Sequence, residues 1–558
     1  MFRQKLLFGI FLLGFFFIIA RLFYWQILQG ARLAEAASDQ YYFKLNLTPN
    51  RGEIITSDGS PLVANIAAYL VYAEPQKITD TKDFSEKVGE ALTIDEATIS
   101  ARINQENIVW APLAHKVDQQ VVDPLKEAGI EGLGFEPESK RFYPESSMAA
   151  HLVGFVGSDE NGSDTGYFGL EGFYDRALKG KPGSLIQEKD ARGIPILLGS
   201  SRRIAAEDGQ TLRLYLDRSV QHIAEERLKQ ALEKYGAKAG LVAIMDPKTG
   251  GILASASYPN FDPRQFAEFD KDLYTDPLVG MTYEPGSTFK TLIMSAALNE
   301  KLVTPTSIFD ETGPVPIGQY RIKTWNDKYN GELTMTQVLE KSSNPGMVHV
   351  GQKLGKDRLY NYIEAFGFGK KTGIDLEGEE AAPIRPRDQW REIDQATASF
   401  GQGIAVTPIQ MLRAVSALAN EGTLMEPHMV ASLIDPAGKV TEVPPKKETQ
   451  VISPASAHVI TEMMISAVNN GDAKWAKPKG YRIAGKTGTA QIPIAGHYDS
   501  DKTIASFVGF APADNPRFVM LVVIREPTSS PWGSETAAPL FFTIAKELFS
   551  YYGISPND

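Results

Sequence analysis

The 558-residue chain contains no cysteine, which removes thiol nucleophiles, disulfides and thiolate metal sites together. That absence suits an oxidising compartment, where a stray thiol is a liability. A basic run is missing too: 57 Lys and Arg stand against 68 Asp and Glu, for a formal net charge of -11. Nucleic-acid binding relies on clustered cations that neutralise phosphates, so a nucleic acid is excluded as the main partner. Glycine (48) and proline (34) are too sparse for a collagen-like or disordered chain. No internal repeat or low-complexity segment is found.

What is present is an ordinary globular composition, 43% hydrophobic and 22% charged, in a chain long enough for two or three folded domains. The strongest single feature is at the start. Leu6 to Ala20 is unbroken apolar sequence, and Leu22 to Leu28 continues it past Arg21. About 20 residues are needed to cross the hydrocarbon as a helix, so residues 6–28 are expected to form one membrane anchor with Tyr24 and Trp25 at an interface. Arg3 and Lys5 precede it, which keeps residues 1–5 cytoplasmic and sends the rest across. A cleaved signal peptide is the competing reading, because Ala34-Glu35-Ala36 mimics a cleavage site; its distance beyond the apolar core, past Arg21 and Arg32, favours the anchor. Arg21 either snorkels to the interface or faces a partner membrane protein.

Folded sequence begins near Asn50. Ile54-Ile55, the Asp58-Gly59 turn and Pro61-Leu62 read as a hairpin, and Ser85 to Leu92 as a helical piece. A mixed α+β domain is expected over residues 45–200. A second start lies at Gln210 to Asp217, a strand running into the amphipathic helix Ser219 to Tyr235. Ala239 to Asp246 and Ile252 to Ser257 form a hairpin, Ile504 to Phe510 and Arg517 to Ile524 are late strands, and Ala537 to Tyr551 is a closing helix. One sheet built from the first hairpin and the last strands would make the two ends of the domain 210–552 meet.

Among the serines, Ser287 has a lysine three positions later, in Pro285-Gly286-Ser287-Thr288-Phe289-Lys290. Pro and Gly before and apolar periodicity after predict a helix start, where residues three apart share a face and the Lys290 amine can reach the Ser287 hydroxyl. A helix N-terminus and burial both disfavour an ammonium, leaving an amine able to take the proton that a serine nucleophile must lose. Taken alone, a Ser-x-x-Lys pair is usually an idle surface pair. Ser342-Ser343-Asn344 comes next, in a helix-to-helix loop. It is either a capping cluster or a proton relay (Ser342) beside an amide that fixes the lysine and a substrate (Asn344), and by itself this is undecidable.

Lys-Thr-Gly occurs three times. Lys248-Thr249-Gly250 is the turn of the first hairpin, and Lys371-Thr372-Gly373 follows a glycine-rich loop and has no strand partner nearby. Only Lys486-Thr487-Gly488-Thr489 follows a strand-like segment, Tyr481 to Ala484, and precedes the late strands, so it can be a sheet edge. Such an edge can bind a substrate backbone, with Thr487 and Thr489 holding a carboxylate and Gly488 leaving room for close approach. Lys486 would hold down the pKa of Lys290. Gly480 to Thr487 also matches the phosphate-loop pattern, but a phosphate loop opens a helix, and Gly488, Pro493 and Gly496 oppose one here.

The order Ser-Thr-Phe-Lys, Ser-Ser-Asn, Lys-Thr-Gly-Thr resembles the penicillin-binding protein and serine β-lactamase superfamily. The resemblance extends from about residue 45 to about residue 550, and it favours the class B, monofunctional transpeptidases. Arg51-Gly52-Glu53-Ile54 with Asp58-Gly59, Arg141-Phe142-Tyr143-Pro144 with Ala150-His151, Gly169-Leu170-Glu171, and Ser399-Phe400-Gly401-Gln402-Gly403 with Thr407-Pro408 carry it. Ser342-Ser343-Asn344 is similar to the division type, the elongation type usually having Cys and Asp in the last two places. No glycosyltransferase domain is expected ahead of the pedestal and no tail domain after residue 552.

The resemblance implies an α+β multidomain fold: one N-terminal transmembrane helix, a pedestal (dimerisation-type) domain, and a transpeptidase domain with an antiparallel sheet flanked by helices. It implies a D,D-transpeptidase that cross-links peptidoglycan stem peptides through an acyl-Ser287, with Lys290, Ser342, Asn344 and Lys486 catalytic and Thr487, Gly488 and Thr489 binding substrate. Backbone N–H groups of Ser287 and Thr489 would form an oxyanion hole. No metal or cofactor is expected. Expected partners are stem peptides, β-lactams as covalent inhibitors, a polytopic membrane glycosyltransferase and other wall-synthesis proteins, at the inner cell membrane in septal wall synthesis. Two other classes stay open: a β-lactam-binding division scaffold, and a hydrolase such as a D,D-carboxypeptidase or β-lactamase.

Overall fold

A computed structural model describes residues 2–105, 108–160, 162–189, 196, 201–494 and 497–556. The chain forms two compact units, Met1–Arg51 with Lys179–Gly209, and Gly52–Leu178 with Gln210–Asp558.

In the first unit an α-helix, Phe2–Phe23, runs on through one wider turn, Tyr24–Leu28. The 27 residues Phe2–Leu28 have a mean hydropathy of 2.5, and the apolar window within them is exposed throughout. At about 1.5 Å per residue that length exceeds a bilayer's hydrocarbon core, and a helix apolar all round is what lipid requires. The helix starts four residues ahead of the apolar run predicted from the sequence. A second helix, Gly30–Tyr41, contains Ala34-Glu35-Ala36. It leads into a three-stranded antiparallel sheet ordered Tyr42–Leu47, Gly183–Glu188, Ser201–Ile204.

The second unit opens with the expected hairpin. The Asp58 carboxylate accepts from Thr56 Oγ1 at 2.5 Å and Ser60 N at 3.1 Å. Gly59 sits at φ +86°, where a side chain would be strained. The strands Ile54–Ile55 and Pro61–Ala73 extend into a seven-stranded sheet. The helices Thr81–Leu92 and Glu96–Ile103 bury Phe84, Val88, Ile99 and Ile103 in a core with Ala111 and Leu113 of that sheet. Asp80 caps the first of them by accepting from Lys82 N and Asp83 N at 3.0 Å.

The strand expected within Gln210 to Asp217, running into the helix Arg218–Tyr235, is observed. The strand there, Thr211–Leu214, belongs to this seven-stranded sheet, parallel to Ile54–Ile55 and antiparallel to Val430–Ile434. Its alternation is the cause: Leu212 and Leu214 are buried while Arg213 is exposed, which fits a strand inserted between two neighbours. The short Arg51 and Arg141 motifs converge nearby. Arg141 donates to Glu171 Oε1 from Nε at 2.7 Å, and its Nη1 donates to Gly52 O at 2.7 Å and Asn65 Oδ1 at 3.0 Å.

The later part of the second unit is built on a five-stranded antiparallel sheet ordered Ile252–Tyr258, Ala239–Met245, Phe518–Arg525, His497–Ala511, Ala484–Ile494. The expected meeting of the two ends is observed, with Val242 opposite Val522. Both faces are covered. Leu241, Ala243 and Met245 enter one core with Leu292 and Ile293 of the helix Lys290–Asn299, and Val242 and Ile244 enter the other with Leu228 of Arg218–Tyr235 and Phe541 of Ala537–Tyr551. Burial on both faces explains why Phe518–Arg525 is an apolar run rather than an alternating one. Asp217 caps Arg218–Tyr235, and Gly236 ends it in the left-handed conformation at φ +59°.

Candidate active site

Three segments make up the site, one of them the edge strand Ala484–Ile494. Gly286–Phe289 is a tight 3-10 turn, and the α-helix begins only at Lys290. Thr288 Oγ1 donates to Pro285 O at 2.7 Å and Thr291 Oγ1 to Thr288 O at 2.9 Å, so two hydroxyls satisfy carbonyls that the short turn leaves open. Phe289 is fully buried and locks the turn into the core, leaving Ser287 half-buried. From behind, Gly286 N donates to Gly401 O at 2.9 Å; a Cβ on Gly401 would stand 2.2 Å from Gly286 O. The Ser399 to Gly403 stretch therefore backs the serine turn.

The second segment lies between the helices Met335–Glu340 and Asn344–Leu354. A capping box between Thr334 and Gln337 starts the first helix, and Ser343 caps the second by accepting from Gly346 N at 2.8 Å. Ser342, between them, takes φ +53°. Lys290 is fully buried, and its Nζ donates to Ser342 O at 2.7 Å and Asn344 Oδ1 at 2.7 Å, with Ser342 Oγ at 3.3 Å. Among the described residues the Lys290 amine makes its hydrogen bonds to this loop, and none joins it to the Ser287 hydroxyl. Asn344 Nδ2 donates to Lys323 O at 3.2 Å.

The third segment is the edge strand itself. Lys486 is buried, its Nζ near Thr487 O (3.2 Å) and Thr487 Oγ1 (3.3 Å), while Thr487 and Thr489 alternate with it as half-buried positions. Thr489 Oγ1 accepts from Gly533 N at 3.0 Å, which ties the loop ahead of the last helix to this edge. Gly488 is closely approached by the serine turn. A Cβ there would lie 2.4 Å from Ser506 Oγ, 2.9 Å from Thr288 Cγ2 and 3.1 Å from Pro285 O. The close approach it permits is that of the serine turn to the strand. Tyr481 to Ile483 is not strand; the regular ladder begins at Ala484.

The other two Lys-Thr-Gly copies stand apart. Lys248 Nζ donates to Asn515 Oδ1 at 2.8 Å in the hairpin turn, and Thr372 N and Oγ1 donate to the buried Glu379 at 2.5 Å within a loop. Lys486-Thr487 lies within a strand and opens no helix, so the phosphate-loop match fails on its own criterion.

Electrostatics distinguish this pocket. Burial pushes the Lys290 amine well below its ordinary value of 10.5, the Lys486 charge pushes it further down, and Glu311 opposes both. Burial lowers Lys486 to about 8 against the pull of Asp472. A neutral Lys290 amine has two hydrogens and one lone pair. Ser342 O and Asn344 Oδ1 take the two hydrogens, which leaves the lone pair free to accept a hydroxyl proton. Sequence reasoning missed Glu311. The only signal is its alternation with Phe309 on the inward side of a four-residue strand.

The chain as a whole is similar to known proteins. The penicillin binding protein transpeptidase domain matches residues 240–548, and the penicillin-binding protein dimerisation domain matches residues 46–214. Stage V sporulation protein D of Bacillus subtilis is 36% identical over 99% of this chain and 86% of its own length. Peptidoglycan D,D-transpeptidase FtsI of Escherichia coli K12 is 30% identical over all of this chain and 92% of its own. Among solved structures, penicillin binding protein 3 of Mycobacterium tuberculosis complexed with aztreonam has a TM-score of 0.72 at 28% identity, covering 92% of this chain and 98% of that one. The chain belongs to the class B penicillin-binding proteins. It has a dimerisation and a transpeptidase domain, and one N-terminal helix long and apolar enough to cross a membrane.

Proposed function

We propose that this chain is a D,D-transpeptidase that cross-links peptidoglycan stem peptides through an acyl-enzyme on Ser287. The observation that carries the reading is the buried, charge-depressed Lys290 amine held beside the serine turn by Ser342 and Asn344. Ser287 Oγ attacks the carbonyl between two terminal D-alanines, a C–O bond forms and the C–N bond breaks. Lys290 takes the hydroxyl proton and passes it through Ser342, which gives its own proton to the departing D-alanine amine and is reprotonated by Lys290. An amine of a second stem peptide then attacks the ester and restores the serine. Backbone N–H groups of Ser287 and Thr489 stabilise each oxyanion, a contribution of about 3 kcal/mol per donor in comparable sites. Lys486, Thr487 and Thr489 hold the terminal carboxylate, and Asn344 orients the substrate amide.

Arg3 and Lys5, at the N-terminal end of the apolar helix, keep that end cytoplasmic and the catalytic domain outside the inner membrane. The reaction consumes strands that a polytopic membrane glycosyltransferase would supply, in septal rather than side-wall synthesis; a fluorescent fusion at the side wall alone would count against that. The test of the chemistry is cross-linked product from stem-peptide polymer. Wild type should make dimeric peptide and Ser287→Ala none. Release of D-alanine without dimer would identify a hydrolase instead, and growth supported by Ser287→Ala would identify a scaffold.

A further inference from the structure

Glu311 ends the strand Ile308–Glu311, opposite Gly331 in the paired strand Gly331–Thr334. Its side chain is fully buried, which is costly for a carboxylate unless its oxygens are engaged. Both are. Oε1 accepts from the Ser343 hydroxyl, and Oε2 accepts from Asn330 Nδ2 at 2.5 Å and Asn330 N at 3.2 Å. The Ser343 hydroxyl itself accepts from Gly346 N at 2.8 Å, so its proton and a lone pair are both committed. Among the described residues, those on either side of Ser343 supply every hydrogen-bond partner of Lys290 Nζ. Ser342 meanwhile holds φ +53°, a conformation that a non-glycine residue keeps only where its surroundings impose it.

We propose that Glu311 is a positioning residue for acylation: by accepting the Ser343 hydroxyl it fixes the segment whose Ser342 and Asn344 oxygens hold the Lys290 amine. This rests on the reading of Ser287 and Lys290 as nucleophile and base. Glu311 acts through two routes, a hydrogen bond that sets geometry and a negative charge that favours the ammonium form of Lys290. The ionisable groups around the pair are Lys486 on the edge strand, Tyr329 on the loop before Gly331, and His349 on the helix Asn344–Leu354, whose ring lies against Phe309.

The two routes separate by experiment. Acylation rate constants with a fluorescent penicillin are measured against pH for wild type, Glu311→Gln and Ser343→Ala, each with its melting temperature. Glu311→Gln removes the charge and turns an amide N–H₂ towards the Asn330 donors. It should slow acylation and move the acid limb to lower pH, because Lys290 loses a neighbour that favours its protonated form. That shift should persist in a His349→Gln background. Ser343→Ala keeps the charge and breaks the link, and should slow acylation by about 10²-fold, as a misplaced catalytic group does, without that shift. A wild-type rate and limb in Glu311→Gln, or a wild-type rate in Ser343→Ala, overturns the proposal. If Glu311→Gln does not fold, the Ser343→Ala rate alone decides. Failure of the wild type to be labelled, or labelling of Ser287→Ala, would instead overturn the underlying reading.

Discussion

Two clusters of buried charge sit in the second unit, and they are built in opposite ways. Arg141 and Glu171 are both almost inaccessible, form an ion pair at 2.6 Å, and are surrounded by further acceptors for the guanidinium. Lys290 is as deeply buried, but its direct partners are neutral oxygens, and a second lysine, Lys486, acts on it as a like charge. A paired buried charge keeps its charge and serves architecture; breaking it leaves an uncompensated ion. A buried cation beside a like charge gives up its proton and becomes a base. The contrast predicts that changes in the first cluster alter stability and leave chemistry, whereas changes in the second do the reverse.

The largest expected effect tests the second cluster. Lys290→Met should keep the packing and the melting temperature while lowering acylation by about 10² to 10⁴-fold, the usual contribution of a general base. Loss of fold in Lys290→Met would break the contrast from that side. Glu171→Gln is the mirror experiment. It strands the Arg141 guanidinium and should destabilise by about 3–5 kcal/mol, seen as a lower melting temperature, with an unmoved acylation pH profile.

Lys486→Gln sharpens the electrostatic argument. The Lys486 charge lowers the Lys290 pKa, so removing it should raise that pKa and move the acid limb of acylation to higher pH, opposite to Glu311→Gln. The alkaline fall expected near pH 8 as Lys486 deprotonates should vanish with it. A smaller effect concerns stability. Burial against Phe261 lowers His151 from 6.5 to about 4, so the unfolded chain binds its proton first as pH falls. Melting temperature should therefore drop between pH 6.5 and about 4, and less steeply in His151→Gln. The smallest effect is at a Lys-Thr-Gly copy outside the pocket: Lys248→Ala should leave acylation unchanged and stability within about 0.5 kcal/mol.

These results also mark where sequence reasoning stops. Ser287, Lys290, Ser342, Asn344 and Lys486 are legible because acyl transfer needs a nucleophile, a base and cationic support, and those side chains recur in a fixed order. The sheet is legible because strands buried on both faces must be apolar runs, as in Phe518–Arg525. Glu311 is not legible, since one carboxylate in a four-residue strand carries no spacing signal and its partner Ser343 lies 32 positions on. The neighbourhood of Lys290 is legible in part: the sequence offers Asn344 as the amide that fixes the lysine, and Asn344 Oδ1 accepts from its amine. The second acceptor, the Ser342 carbonyl at a residue held at φ +53°, is not legible. Gly488 shows the same limit: its small size is evident from sequence, but the turn that fills the space is not.

The central claim is that Ser287 is the residue that becomes acylated, and it is tested most directly by mass mapping of the protein after stoichiometric penicillin treatment. The account predicts a single penicilloyl adduct, on the peptide carrying Ser287 and on that hydroxyl. An adduct on another residue, or none, would contradict it.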